Sequence, residues 1–265
     1  MRVKFWGVRG STPSPQPENM RYGGNTPCVE VTVGDERLIL DAGTGIRNLG
    51  NSMLAARNGH LDTHLFLSHL HWDHIEGIPF FRPMYDPSWK IHVHAERLDA
   101  LAGVMAAPFF PLPMENMGAR QHLHELGAGS TSLRSCSVEA VGLHHPQGCF
   151  GFRVTADGAT FAYASDTEPG DAEGDRRVRE LARDADLLVY DAHFLPQELE
   201  QSKRGWGHSH WQEAVNIAQE AGVRRLVLFH HAPERSDVEV DAIVAQAQQH
   251  FPASCGAREG LEIRL

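Results

Sequence analysis

Residues His69-Leu70-His71-Trp72-Asp73-His74 place three imidazoles and a carboxylate within six positions, directly after a strand-like run that ends at Leu67. Burying so many polar groups without partners is costly, and a bound metal is the partner that satisfies them together. His69 and His71 alternate on a turn and can face one ion, while Asp73 and His74 turn toward a second. A chance surface cluster is the other reading, and the density of the run disfavours it. The chain as a whole points the same way, with 17 histidines in 265 residues, since neutral imidazole is the commonest metal ligand.

Around this run, short apolar segments alternate with turn signals. Positions 3–8, 28–33 and 37–40 read as strands, the last two joined through Gly34-Asp35 as a hairpin. A helix is expected from Gly45 to about Arg57, stopped by Asn58-Gly59. Further strands are expected at 64–67, 90–94, 138–143, 149–155, 160–164, 187–190 and 225–229, with helices at 96–105 and near 176–182. Ser209-x-x-Gln212 and Ser236-x-x-Glu239 have the form of capping boxes that open two more helices. The stretch 79–126, rich in proline and carrying Phe80-Phe81 and Phe109-Phe110, is expected to be an irregular insertion or lid and a candidate homodimer interface. Strand-rich halves, each closed by helices, imply an α/β chain with two sheets face to face, helices outside, and one domain over 1–265.

The formal charge is −10, with lysine only at Lys4, Lys90 and Lys203, which is a poor match to a strong nucleic-acid binder. No apolar stretch reaches membrane-spanning length. The first residues lack the layout of a signal peptide. Cys28, Cys136, Cys149 and Cys255 form no CxxC pair, so they read as free thiols of a cytoplasmic protein.

The run HLHWDH resembles the HxHxDH signature of the metallo-β-lactamase superfamily, and the resemblance extends over nearly the whole chain. Asp41-Ala-Gly-Thr-Gly45 is similar to the acidic turn ahead of the ligands. His145 followed by Pro146 and Gly148, Asp166 in Tyr-Ala-Ser-Asp-Thr, and His230 in Leu-Phe-His-His fall in the family's order. Trp6-Gly-Val-Arg-Gly-Ser-Thr-Pro13, Asp191-Ala-His-Phe194, Gly207-His-Ser209 and Leu228-Phe-His-His-Ala-Pro233 resemble the ribonuclease Z-like, phosphodiesterase branch.

The resemblance implies a four-layer αββα sandwich with His69, His71 and His145 at one metal, Asp73, His74 and His230 at a second, and Asp166 bridging both. His144 neighbours His145 and His231 neighbours His230, so either member of each pair can be the one that faces the site; His145 and His230 are preferred. Zinc is the expected ion, with manganese or iron also suited to mixed imidazole and carboxylate ligands. His208 stands where the branch has a catalytic histidine and Asp191 where it has an acidic partner, which implies a proton donor for the leaving group. An inert histidine at a helix entrance is the alternative. His210 departs from the family's threonine and is expected to face solvent.

Of the remaining features, Asp41 is expected to orient the ligand loop, and Arg9 to be a solvated surface arginine unless it contacts phosphate. His92-x-His94 and His122-x-His124 each share a strand face, but neither has an aspartate completing it, so both read as exposed or partly packed strand faces.

The expected reaction is hydrolysis of a phosphodiester by a metal-bridging hydroxide, with Asp73, Asp191 and His208 in the catalytic machinery. A small, cyclic phosphodiester is the expected substrate. Transfer-RNA processing in the related enzymes generally needs a protruding arm, and the stretch from His145 to Asp166 has room for two short strands and a turn. A lactone, phosphotriester or thioester on the same bimetal site is the nearest alternative, followed by oxygen or sulfur redox chemistry and then by a non-enzymatic sensing module. The Asp191–His208 pair argues against the first, because a poor alkoxide leaving group is what needs a proton.

Overall fold

The computed structural model describes residues 1–56 and 61–265. In the first half the chain forms β1 (Arg2–Gly7), β2 (Cys28–Val33), β3 (Glu36–Leu40), α1 (Ile46–Ala56), β4 (Asp62–Phe66), a short α2 (Trp72–Ile75), β5 (Lys90–Ala95), α3 (Leu98–Val104) and β6 (Arg120–Glu125). The second half adds β7 (Gly129–Ser132), β8 (Ser137–Leu143), β9 (Cys149–Ala156), β10 (Ala159–Ala164), α4 (Ala172–Ala182), β11 (Leu187–Asp191) and the short α5 (Pro196–Glu198). It closes with α6 (Trp211–Glu220), β12 (Leu226–Phe229), α7 (Asp237–His250), β13 (Ser254–Gly256) and β14 (Glu262–Arg264). The expected stop of α1 at Asn58-Gly59 lies outside the described residues.

Two seven-stranded mixed sheets result, in the orders β14-β1-β2-β3-β4-β5-β6 and β13-β12-β11-β10-β9-β8-β7. Alternation decides which faces meet. In β1 the buried positions are Val3, Phe5 and Gly7, and Val3 and Phe5 join Val29, Val31, Phe152, Tyr163 and Phe229 in a core between the sheets. On the outer face of the first sheet, Ile39, Leu65, Ile91 and Val93 pack against Ile46, Leu49 and Met53 of α1. Outside the second, Leu188, Tyr190 and Leu228 pack against α4, α6 and α7. β11 and β12 are buried at every residue, because both of their faces are covered. The layers are therefore helix, sheet, sheet, helix.

Several sequence expectations move. Within the stretch 79–126, β5 and α3 fall where a strand and a helix are expected, and β6 is an additional parallel strand that extends the first sheet, in register from Lys90↔Arg120 to Ala95↔Glu125. β6, β7, β13 and β14 carry too little apolar alternation to signal a strand: β6 is exposed or half-buried at every position. α6 starts one residue later than the Ser209 box implies, with His210 as its cap, its Nδ1 accepting from the Glu213 N–H at 3.1 Å. His210 is thus a half-buried capping residue rather than a solvent-facing one, and burial pushes its imidazole down to about 4. The Ser236–Glu239 box is present with both reciprocal bonds.

Arg9 corrects a second expectation. It is fully buried, donating to the carbonyls of Gly23 (2.8 Å), Asn19 (3.1 Å), Ala232 (3.3 Å) and Arg235 (2.6 Å), with Asp237 Oδ1 at 3.5 Å. Five donors on one planar group suit this task, which is to fasten the loop after β1 to the loop after β12.

Candidate active site

The functional residues collect at the carboxyl ends of the strands, the usual place for a site in an open α/β sheet. Asp41 follows β3, residues 68–74 follow β4, His145 follows β8, Asp166 follows β10, Asp191 ends β11, and His230 follows β12. Three of these, Asp41 (φ 62°), Asp166 (φ 56°) and His230 (φ 60°), sit in the left-handed region that residues other than glycine seldom adopt. Each is the first or second residue past its strand, where the turn aims the side chain back across the sheet end. Strain of this kind, about 1–3 kcal/mol per residue, gathers at functional sites.

The three imidazoles of His69, His71 and His145 offer nitrogens that lie within 4.8 Å of one another, and so do the ligand atoms of His69, His74 and Asp166. His145 Nε2 is 3.2 Å from His71 Nδ1. His74 Nε2 is 3.3 Å from His230 Nε2 and 3.2 Å from Asp166 Oδ2. Asp73 Oδ2 is 3.2 Å from His230 Nε2 and also accepts the Ser11 N–H at 2.7 Å. Ligands about 2.1 Å from one tetrahedral ion stand about 3.4 Å apart, so these separations are those of atoms that share an ion. His69 Nε2 fits the same reading, as a buried nitrogen with no hydrogen-bond partner. The structure therefore brings together all seven of the residues that the sequence singles out.

The opposite nitrogen of most of these rings is held in place. Asp41 is the main anchor: its oxygens accept from Ser68 N (2.8 Å), Ser68 Oγ (3.0 Å) and Tyr163 OH (2.7 Å), and one lies 2.9 Å from His74 Nδ1. His71 Nε2 meets Gln147 Oε1 at 2.9 Å, and His145 Nδ1 meets the Gly207 carbonyl at 2.8 Å. Fixing the tautomer this way aims the remaining nitrogen into the cluster. Gly207 has φ 84°, and a Cβ there would stand 2.2 Å from His145 Nδ1, so any other residue would be strained and would push the His145 ring out of place. The neighbouring histidines face elsewhere. His144 Nδ1 is 2.9 Å from the Glu168 carbonyl, and His231 Nε2 is 2.9 Å from the Ala257 carbonyl.

Electrostatics follow from the packing. Burial pushes His69 and His145 down, which keeps them neutral and able to donate a lone pair. Burial also opposes ionisation of Asp73 and Asp166, but the facing His74 and His230 outweigh it and hold both carboxylates well below the usual range. His208 lies beside this cluster. Its Nδ1 is 2.9 Å from Asp191 Oδ2 and 3.6 Å from Asp166 Oδ1. Burial would lower it, yet the charge and hydrogen bond of Asp191, with Asp166 and Asp73 beyond, push it up to about 9.

One buried residue carried no role in the sequence reading. His193 stacks on His208 with ring centroids 4.4 Å apart, and its Nδ1 meets the His230 carbonyl at 3.0 Å. Asp191 Oδ1 accepts the His193 N–H at 2.9 Å, so one carboxylate positions both rings. Two recesses flank the cluster. One, about 220 Å³, is lined by His69, His71, Glu96, Arg97 and Gln147. The other, about 520 Å³, is lined by Ser11, His193, Phe194, Trp206, His208 and Arg235.

Two facing sheets with flanking helices and a histidine–aspartate cluster at their common edge define a metallo-β-lactamase fold. A model of the β-lactamase superfamily domain matches residues 36–231. Ribonuclease Z of Haloarcula marismortui is 27% identical over all of this chain and 97% of its own, and that of Haloferax volcanii is 30% identical over 95% and 90%. The metallo-β-lactamase fold protein YhfI from Bacillus subtilis superposes with a TM-score of 0.75 at 20% identity, covering 99% of this chain and 98% of its own. Human tRNase Z, short form, gives 0.73 at 20% over 100% and 99%, and a diphosphatase of the PhnP family 0.72 at 18% over 100% and 97%. At these identities the solved structures speak for the fold alone. The chain belongs to the β-lactamase superfamily, among its ribonuclease Z-like metal-dependent hydrolases.

Proposed function

We propose that the protein is a dinuclear metal-dependent phosphodiesterase acting on a small phosphodiester. His69, His71 and His145 would hold one divalent ion, Asp73, His74 and His230 the other, with Asp166 between them and zinc the expected metal. When bound, such ions polarise the phosphoryl oxygen and supply a water of lowered pKa. The observation that carries the choice of a phosphodiester is the Asp191–His208 pair, 2.9 Å apart and bordering the cluster through Asp166. Its imidazolium gives a proton to the departing alkoxide, a step that a lactone or thioester needs much less. Asp191 holds Nδ1, so Nε2 is the nitrogen left to meet the leaving oxygen, and His193 keeps the ring from tilting by stacking on it.

Four features support a small substrate. The recess beside His208 is the size of a nucleotide-like ligand, with Phe194 and Trp206 as flat walls and Lys203 Nζ 3.8 Å from the Trp206 ring centre. The alignment to the Haloarcula relative runs over 318 positions against the 265 residues here, so that protein carries inserted segments this chain lacks. β9 and β10, between His145 and Asp166, are joined by a two-residue turn with no arm. The charge of −10 agrees.

The test is a panel of bis(p-nitrophenyl) phosphate, a cyclic nucleotide, a dinucleotide, a precursor tRNA, a lactone, a thioester and a phosphotriester. Turnover of the small phosphodiesters is expected. Turnover of the lactone or thioester alone would overturn the phosphodiester assignment, and strong preference for precursor tRNA would overturn the small substrate.

A further inference from the structure

Five further histidines, outside the active site, form a grid on the inner face of β4, β5 and β6. Parallel register aligns His64, His92 and His122 in one row and Phe66, His94 and His124 in the next. Adjacent rings stack face to face, with centroids 4.4 Å apart for His64–His92, 4.8 Å for His92–His122, 4.5 Å for His94–His124 and 4.1 Å for Phe66–His94. The spacing is that of neighbouring strands, so the sheet itself sets it. Diagonal contacts tie the rows together: His64 Nδ1 lies 3.1 Å from His94 Nε2, and His92 Nδ1 lies 2.8 Å from His124 Nε2.

Asp62 opens β4 one step before this grid. Its Oδ2 accepts from Lys90 Nζ at 3.1 Å, while Oδ1 is a buried atom with no hydrogen bond, 3.3 Å from His92 Nε2. Ligand atoms of Asp62, His64 and His92 lie within 4.8 Å of one another. An orphaned carboxylate oxygen facing imidazole nitrogens, each ring anchored through its other nitrogen by a second histidine, repeats the arrangement of metal ligands and their supporting partners.

We propose that Asp62, His64 and His92 bind a divalent transition-metal ion separate from the active-site cluster, with His94 and His124 orienting the two ligating rings. His92 coordinates through Nε2, since His124 holds its Nδ1, and His64 likewise has Nε2 free. Two imidazoles and one carboxylate suit zinc, cobalt, nickel or copper and not the oxygen-seeking magnesium or calcium. The remaining positions belong to water, which makes the ion exchangeable. Burial pushes His64 down against the opposing charges of Asp62 and Glu36, and burial and then His64 push His92 down to about 4, so both rings stay neutral at neutral pH. Asp62 remains open to solvent, with 46% of its side chain exposed, and gives the ion its way in. His64 lies within β4 and groups with Asp62 and His92, whereas His69 lies in the loop past the strand's end and groups with His71 and His145.

The experiment measures zinc per chain at equilibrium in zinc-buffered solution, for wild type, His92→Ala and Asp62→Asn, with phosphodiester turnover alongside. His92→Ala should hold one zinc fewer than wild type, whatever the wild-type total, and Asp62→Asn should bind that last zinc at least about tenfold more weakly. Turnover should stay unchanged in both, because neither residue belongs to the active site. Equal zinc content and equal affinity in wild type and variants would overturn the proposal, leaving the grid a purely aromatic stack. If His92→Ala fails to fold, Asp62→Asn decides alone, since its half-exposed side chain at a strand start contributes little to packing.

Discussion

The molecule holds two histidine clusters built by opposite rules. The active-site cluster is made by loops: the end of β4 sends four residues inward and five other strand ends one each, three of them through left-handed backbone, so that imidazoles and carboxylates converge. The grid on β4–β6 is made by the sheet: ordinary extended backbone, two rings per strand in two rows, spread over a plane with a single carboxylate at its margin. Loops can converge on a centre, which is what a reaction needs. A sheet face can only repeat, and what it offers is a surface on which one ion is held by neighbours in register.

If the active site depends on its loops and the grid on its strands, substitutions should divide the two. The largest effect is expected from Arg9→Ala, which strips a buried ion pair and four carbonyl partners from the two loops that flank Asp73 and His230. A stability loss of about 3–5 kcal/mol is expected from breaking this buried pair, which leaves Asp237 with only the N–H groups of Arg21 and Tyr22 and four carbonyls without their donor. A urea midpoint within error of wild type would contradict this role. Next comes Asp41→Asn, which keeps the shape but weakens the hold on His74 and Ser68. A loss of about 10–100-fold in metal affinity or turnover is expected, measured by zinc titration and kcat/KM, and an unaltered titration would break the orienting argument. Gly207→Ala adds a methyl group against His145 and forces φ 84° on a residue with a Cβ. About a tenfold loss of turnover is expected, equivalent to roughly 1.4 kcal/mol, with the grid's zinc retained.

The smallest effect belongs to the grid and is read through pH. Burial first, then the facing His124, His64 and His92, pushes His94 down to about 3. An unfolded histidine binds its proton near pH 6.5, so the unfolded state carries more protons across the window from about 6.5 down to about 3. Stability therefore falls as pH drops through that window and is fully present above it. His94→Phe, which preserves the stack on Phe66, should flatten the acid limb of a thermal-melt series. An acid limb identical to wild type would show that His94 titrates as it does in the unfolded chain.

How far the sequence reveals each cluster follows from the same contrast. His69, His71, Asp73 and His74 are contiguous, so one turn carries half the site and is visible without a structure. Asp166 and His230 are legible only because each ends a strand-like run, and the choice of His145 over His144 rests on one hydrogen bond to Gly207 that no spacing encodes. His193 escapes notice because its function is to stack on His208, a contact across loops. The grid is illegible for a stronger reason. Asp62 and His64 share β4, but His92 comes from β5, and His124, which holds the His92 ring, comes from β6, a strand too polar to announce itself. Arg9 misleads for the converse reason, since a lone arginine in a glycine-rich loop gives no sign of the four carbonyls waiting for it.

Metal content measured together with turnover of bis(p-nitrophenyl) phosphate, in wild type, Asp73→Ala and His208→Ala, separates metal binding from proton donation. Asp73→Ala should lose both metal and activity, while His208→Ala should keep its metal and lose about 10²–10⁴-fold in kcat. A His208→Ala enzyme as fast as wild type, or a fully metal-loaded wild type that leaves phosphodiesters untouched, would contradict it.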